Sequence, residues 1–417
     1  MSATDTSVRP QVPDASRRTR GWRPRPRRVL QIAHRWVALL VGVILLVVVL
    51  SGVALVLDPE LDGALHPGLY RSTPTETPLS AEQALAVVQR ERPGFGPTDV
   101  VWNRGHWEVY GDEHRLQAHV DPGTGRLNGI GSHNGGVMGF LKNLHMCALS
   151  CADYPGHLAF LEAETPILSN DELNLGGLIL AGAGLALIVL CLSGLVLWWP
   201  GIRRMARGLR VRRGKGRYAL HYDLHKVVGF AAIPFLLMWA VTGAGFELKQ
   251  FEQAWYALLP GERPAEYVAM TSTPRPGDGI DQREARAIAQ RTLPRHRITS
   301  VSVPDHKEKT SAYSVWMSPR DGIDASAHAS WSGTSEVAVD RYSGRARVTW
   351  GEPGRPRAQQ LWQDWQFYGH AGYFFGPWPR ALWLVLGLAP LLLAVTGLTT
   401  WLLRRRKRRA RRGAVLA

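Results

Sequence analysis

The stretch Leu220 to Phe246, LHYDLHKVVGFAAIPFLLMWAVTGAGF, sets two histidines four residues apart at the head of an apolar run. That run is about as long as the ~20 residues a helix needs to cross the hydrocarbon core of a bilayer. Three further runs of this kind occur at Trp36 to Leu57, Gly176 to Trp199 and Ala381 to Leu403. The 417-residue chain is therefore predicted to be membrane α-helical, with four transmembrane helices. Extended to their flanks, the spans are residues 31–57, 176–199, 221–247 and 380–403.

The formal net charge of +16 is concentrated in three places. The tail before Leu30, the segment Gly201 to Arg217 and the tail from Arg404 each carry eight Lys or Arg, while the rest of the chain is net acidic. Four crossings put all three on one side, as the positive-inside rule expects of cytoplasmic flanks. The expectation is a protein of the cell (inner) membrane with both termini cytoplasmic: a disordered basic tail over 1–30, a basic loop over 200–220 and a second basic tail over 404–417. Charge so placed serves topology and contact with anionic membrane lipid, and no nucleic-acid partner is expected. Trp198, Trp199, Trp378 and Trp401 near span ends suit interfacial anchoring. The first span has an Arg-rich flank but an apolar run too long for a signal peptide and no A-x-A site, so it reads as an uncleaved anchor.

The chain repeats itself. HRWVALLVGVILLVVVLSG (His34 to Gly52) answers HKVVGFAAIPFLLMWAVTG (His225 to Gly243), with the histidine and the Ser-Gly or Thr-Gly pair 18 residues apart in both. HVDPGTGR (His119 to Arg126) answers AVDRYSGR (Ala338 to Arg345), each following alternating β-formers, and D-x-x-[TS]-G-R is a good hairpin turn. A further histidine follows each turn, His145 in NLHMCAL and His370 in FYGHAGYFFG. The spans after them end alike, CLSGLVLWWP and AVTGLTTWLLR. The predicted organisation is two tandem repeats, each a span, an extracytoplasmic α+β segment (58–175 and 248–379), a histidine and a second span.

His34 and His225 lie at the cytoplasmic mouths of spans one and three, and His145 and His370 on the outer side ahead of spans two and four. At ~1.5 Å per residue the 18-residue offset covers about 27 Å, close to the hydrocarbon thickness. Two histidine pairs thus sit at opposite faces of one helix bundle. Histidine at a membrane is costly without a partner, and facing imidazoles in a bundle suit bis-histidine haem ligation. Gly52 and Gly243 fall at the level of the outer pair, Gly194 and Gly397 nearer the inner pair, where glycine lets a flat macrocycle approach the helix backbone.

Other groups read as follows. His106, His114 and His119, with Asp112, are expected to be surface polar residues, with transient metal or substrate contact as the alternative. Cys147 and Cys151 leave a disulfide, plain packing and a redox relay open, and Cys191 is expected to pack within span two. Trp362, Trp365, Phe367, Tyr368, Tyr373 and Phe374 are placed to flank a haem edge or a docking surface, or to pack at the interface. No nucleotide-binding glycine motif stands in a convincing context, so any electron donor is external.

The blocks AHRWVALLVGVILLVVVLSGVAL, FLKNLH, LHKVVGFAAIPFLLMWAVTGA and GHAGYFFGPWPRALWLVLGLAPLLLAVTGL resemble the His-to-span blocks of the PepSY-associated transmembrane (PepSY_TM) family over roughly Ile32 to Arg406. The outer segments resemble degenerate PepSY modules. The resemblance implies an inner-membrane haem protein in which His34 and His225 hold an inner haem b and His145 and His370 an outer one, with a ferric siderophore or ferric chelate as electron acceptor. The sequence departs from the pattern in an insertion before Leu175, which leaves His157 competing with His145, and in a fourth block that reads Tyr-Gly-His rather than Leu-His. His221, four residues before His225 and on the same helical face, competes with it, although the repeat spacing favours His225. The alternative reading is a non-catalytic PepSY-type accessory protein that binds a peptide, protease or transporter.

Overall fold

The computed structural model describes residues 26–416 except 104, 112–114, 133, 166–172, 262, 264–266, 278, 306, 321–334, 353 and 374–376. The side chains of 364, 365, 377 and 411–416 also lie outside the description. The first membrane helix, α1 (Pro26–Leu55), begins inside the basic flank, where Arg27 Nη2 donates to the Leu197 carbonyl at 2.6 Å. A short α2 (Asp58–Leu65) leads to α3 (Ala81–Glu91), which opens on a reciprocal capping box between Ser80 and Gln83. Strands β1 (Pro97–Asn103), β2 (His106–Gly111), β3 (Leu116–Val120) and β4 (Leu127–Ser132) follow.

Next come α4 (Gly136–Met146) and the second membrane helix, α5 (Leu175–Trp198), capped by the Asn174 side chain on Gly177 N at 2.8 Å. A short α6 (Met205–Gly208) precedes the third membrane helix, α7 (Arg217–Glu247). The second outer segment contains α8 (Lys249–Leu258), α9 (Gln282–Thr292) and strands β5 (His296–Ser302), β6 (Tyr313–Pro319), β7 (Ser335–Val339) and β8 (Ala346–Trp350). Last are α10 (Arg357–Ala371), α11 (Pro377–Gly387) and α12 (Ala389–Leu416). Four stretches are long and apolar enough to cross a membrane: α1, α5, α7 and the run Trp378–Ala410. α5 packs against α1 and α7, and α12 against α7 and α1, so the spans form one bundle.

The two segments between the spans are joined, although each keeps its own apolar core. Their strands make one antiparallel sheet of order β4-β3-β2-β1-β5-β6-β7-β8. The join is β1 to β5, with Asp99, Val100 and Val101 opposite Ser302, Val301 and Ser300. Each segment alone would leave its first strand as an open edge, and pairing the two edges satisfies both rows of backbone groups.

One face of this sheet carries the apolar cores. Ala84 and Val88 of α3 pack on Val100, Val109, Ala118 and Val120. Ala285 and Ala289 of α9 pack on Val301, Val315, Val337 and Val339 in the same way. Both hairpin turns are held by their aspartate. Asp121 accepts from the Thr73 and Gly123 amides, and Asp340 from the Thr273, Tyr342 and Ser343 amides.

Candidate cofactor site

His145 ends α4, which lies along α1, and His370 ends α10, which lies against α7. The two imidazoles face each other with ring centroids 6.0 Å apart and planes inclined by 47°. The indoles of Trp239 and Trp383 both donate to the His370 carbonyl at 3.0 Å, which fixes the last turn of α10. A cavity of about 540 Å³ surrounds the pair, bordered by Gly52, Gly243, Phe246, Tyr373 and Trp383. It extends to the sheet, where Asn103, Glu108, Tyr110 and Gln117 form its polar wall. That volume is within the range of roughly 300–1,000 Å³ usual for small-molecule and cofactor sites.

The hydrogen-bond network assigns one tautomer to all four repeat-related histidines. His145 Nδ1 lies 2.7 Å from the Val48 carbonyl, and His225 Nδ1 3.0 Å from the Leu393 carbonyl, so both Nδ1 atoms donate. His370 Nδ1 lies 2.7 Å from Thr242 Oγ1, whose own proton goes to the Met238 carbonyl. His34 Nδ1 lies 2.7 Å from Ser193 Oγ, whose proton goes to the Val189 carbonyl. Thr396 assists at His225 from 3.1 Å and donates to the Leu392 carbonyl. Each Nε2 therefore keeps its lone pair, and among the described residues no hydrogen bond engages any of the four. A metal-ligating histidine is commonly oriented in this way, through the opposite ring nitrogen.

The glycines make room for the rings. A Cβ on Gly52 would meet His145 Cε1 at 2.5 Å, and one on Gly397 would meet His225 Cε1 at 3.2 Å. At Gly194 and Gly243 the corresponding approaches to His34 and His370 are 3.4 and 3.5 Å. What the missing side chains admit directly is an imidazole edge. The residue before each glycine is Ser51, Ser193, Thr242 or Thr396, and three of these hydroxyls accept from the neighbouring histidine. The Ser/Thr-Gly pair is thus a histidine seat: glycine supplies space, and the hydroxyl fixes the tautomer. The pairs were visible in the sequence, but nothing there told which histidine each one faced.

Residues 31–404 match the family model described as the PepSY-associated TM region. The chain belongs to this PepSY_TM family. No curated protein matches it.

In this PepSY_TM protein His157 Nε2 sits 2.8 Å from Glu162 Oε1, and His221 Nδ1 is buried with no hydrogen-bond partner among the described residues, whereas His225 has its glycine seat. Cys147 and Cys151 are joined in a disulfide just after α4, and Cys191 is free and buried. Of the aromatic group, Phe367 and Tyr373 border the cavity and Trp362 packs on Trp255. Phe374 and the Trp365 side chain lie outside the described residues.

The expectation that the β2–β3 histidines are exposed is overturned. His106 and His119 are each 1% exposed and Glu108 is wholly buried, on the sheet face away from α3. The reason is that Tyr70 covers both rings, at centroid distances of 5.1 and 4.9 Å. Burial opposes ionisation of Glu108, but hydrogen bonds from His106 and Asn103 and the nearby imidazoles override it and hold the carboxyl down at about 2. Burial pushes His119 down to about 4. Asp112 and His114 lie outside the described residues.

Proposed function

We propose that this protein is a transmembrane electron-transfer protein that binds two haem b groups, an inner one between His34 and His225 and an outer one between His145 and His370. Electrons pass from an external donor to an extracytoplasmic ferric siderophore or ferric chelate. The observation that carries the reading is the outer pair: two imidazoles with free Nε2 atoms and centroids 6.0 Å apart. One haem iron would fit between the two rings, since bonds near 2 Å and the ring radius would put their centroids about 6 Å apart. The histidine–glycine contact repeated at four sites supports a second, equivalent pair at the other end of the bundle.

Haem held in this way supplies one-electron chemistry. The chain's own residues do the rest. Val48, Leu393, Thr242 and Ser193 fix the imidazole tautomers, and Trp239 and Trp383 fix the His370 backbone. The cavity's polar wall offers hydrogen-bonding groups to a substrate approaching the outer pair. Reduction of bound iron to Fe(II) weakens its hold by hard oxygen ligands, which releases it.

The basic segments support an inner-membrane protein with both termini in the cytoplasm and the sheet outside. The repeated motifs and the two four-strand sets support an origin in two tandem repeats.

The test is stopped-flow reoxidation of the dithionite-reduced, detergent-purified protein by a ferric chelate. Fast reoxidation that is lost in His370→Ala supports the proposal. Reoxidation by the chelate no faster than in buffer refutes it.

A further inference from the structure

The wall of the cavity formed by the sheet holds a second group of ligating side chains. We propose that His106, Glu108 and His119 form a binding site for a divalent first-row transition-metal ion, distinct from the four histidines of the bundle and opening to the cavity through Glu108. The ligand-bearing atoms of all three lie within 4.8 Å of one another. His106 Nε2 is 3.1 Å from His119 Nδ1 and 3.2 Å from Glu108 Oε1. In a tetrahedral site with bonds of about 2.0–2.1 Å, neighbouring ligand atoms stand roughly 3.3 Å apart. Two imidazoles and one carboxylate form a donor set for Zn(II) or Fe(II), with coordination positions left open.

Without an ion the cluster is poorly matched. One His106 nitrogen faces Glu108 Oε1 and His119 Nδ1 at once, and its single site cannot serve both contacts well. Glu108 is fully buried, and among the described residues it pairs with no Lys or Arg; its other partners are the neutral donors Asn103 Nδ2 at 2.9 Å and Tyr110 Oη at 3.1 Å. Among the described residues its one ion-pair partner is the His106 imidazole, a cation only when protonated, and a metal ion supplies a permanent charge. The surrounding shell is built as metal sites require: Asn103 and Tyr110 orient the carboxylate, Gln117 Nε2 donates to Tyr110 Oη at 3.2 Å, and Tyr70 packs on both rings.

The other half of the sheet provides an internal comparison. By strand register, Glu108 opposite His119 corresponds to Ser314 opposite Ala338, and His106 corresponds to Ala312. None of the three ligands recurs there. The buried carboxylate of that half, Glu336, is instead satisfied by the hydroxyls of Ser314, Thr349 and Tyr267. Among the described residues the Glu336 carboxylate is thus buried with hydroxyl partners, and the histidine pair beside Glu108 is peculiar to the first half.

The site does not depend on the electron-transfer reading, and its test uses Zn(II) alone. The full-length protein in detergent is stripped with a chelator, incubated with Zn(II), desalted, and its zinc measured by elemental analysis. The expected result is about one Zn(II) per chain with a raised melting temperature. Glu108→Gln and His119→Gln, each checked for folding by its zinc-free melt, should fall below about a tenth of that occupancy. The double variant His145→Ala/His370→Ala should keep it. Zinc retained by either folded cluster variant, zinc lost with the bundle pair instead, or no zinc bound by the wild type would each overturn the proposal.

Discussion

Gly52 and His145 touch so closely that a single methyl group on the glycine would stand 2.5 Å from His145 Cε1. The two lie on different helices, α1 and α4, and the contact places the ring beside the Val48 carbonyl that it donates to. Gly52→Ala must displace the imidazole or the helix, since overpacking of this kind typically costs ~1–3 kcal/mol. We expect it to abolish the outer haem signal while leaving the inner one. Gly243→Ala, where the approach to His370 is an ordinary 3.5 Å, should retain both. Haem content and reduced-minus-oxidised spectra of the two variants check the difference.

Thr242 Oγ1 accepts from His370 Nδ1 and donates onward to Met238. Thr242→Val keeps the shape and removes the acceptor, whereas Thr242→Ser keeps both groups. Loss of such an outer partner typically weakens a metal site ~10–100-fold. Titration of haem into the apo protein should show weaker outer-site binding for Thr242→Val and near-normal binding for Thr242→Ser.

Asp223 is fully buried near the start of α7 and is held by Arg212 at 2.8 Å and Lys226 at 2.9 Å. Asp223→Ala leaves Lys226 partly buried without its anion, a loss of roughly 3–5 kcal/mol in well-buried pairs. Arg212→Ala should cost much less, because Arg212 is half exposed and Lys226 remains in place. Melting temperatures in detergent should rank wild type, Arg212→Ala, Asp223→Ala in falling order.

The spans and both hairpin turns were legible in the sequence for simple reasons. A twenty-residue apolar run has few other uses, and D-x-x-[TS]-G-R binds its own amides through the aspartate. The joining of two outer segments into one sheet was not legible, because Val100 meets Val301 across two hundred residues and neither strand carries a local mark of its partner. Burial of His106 and His119 was hidden for a related reason. They lie on different strands, their common sheet face depends on the pairing of Glu108 with His119, and the cover on that face is Tyr70, which comes from a distant loop. The four bundle histidines stood out through their repetition, while the hydroxyls of Ser193 and Thr242 needed coordinates to be matched to them.

Asp340 gives the sheet an acid-sensitive point. Burial would raise its carboxyl, but amide donors from Ser343, Thr273 and Tyr342 override this and hold it below the ordinary 3.8. A carboxyl lowered on folding stabilises the protein above its unfolded value and loses that contribution as pH falls further. Thermal melts should therefore drop as pH falls below about 4, and Asp340→Asn should show a shallower acid slope with a lower melt at neutral pH.

The most direct test of the central claim is pyridine-haemochrome quantitation on the detergent-purified protein, made with adequate haem supply. The account predicts about two haem b per chain, falling to one in both His145→Ala and His370→Ala, with the remaining spectrum the same in each. Folded protein that carries no haem, or single variants that leave both haems in place, would contradict it.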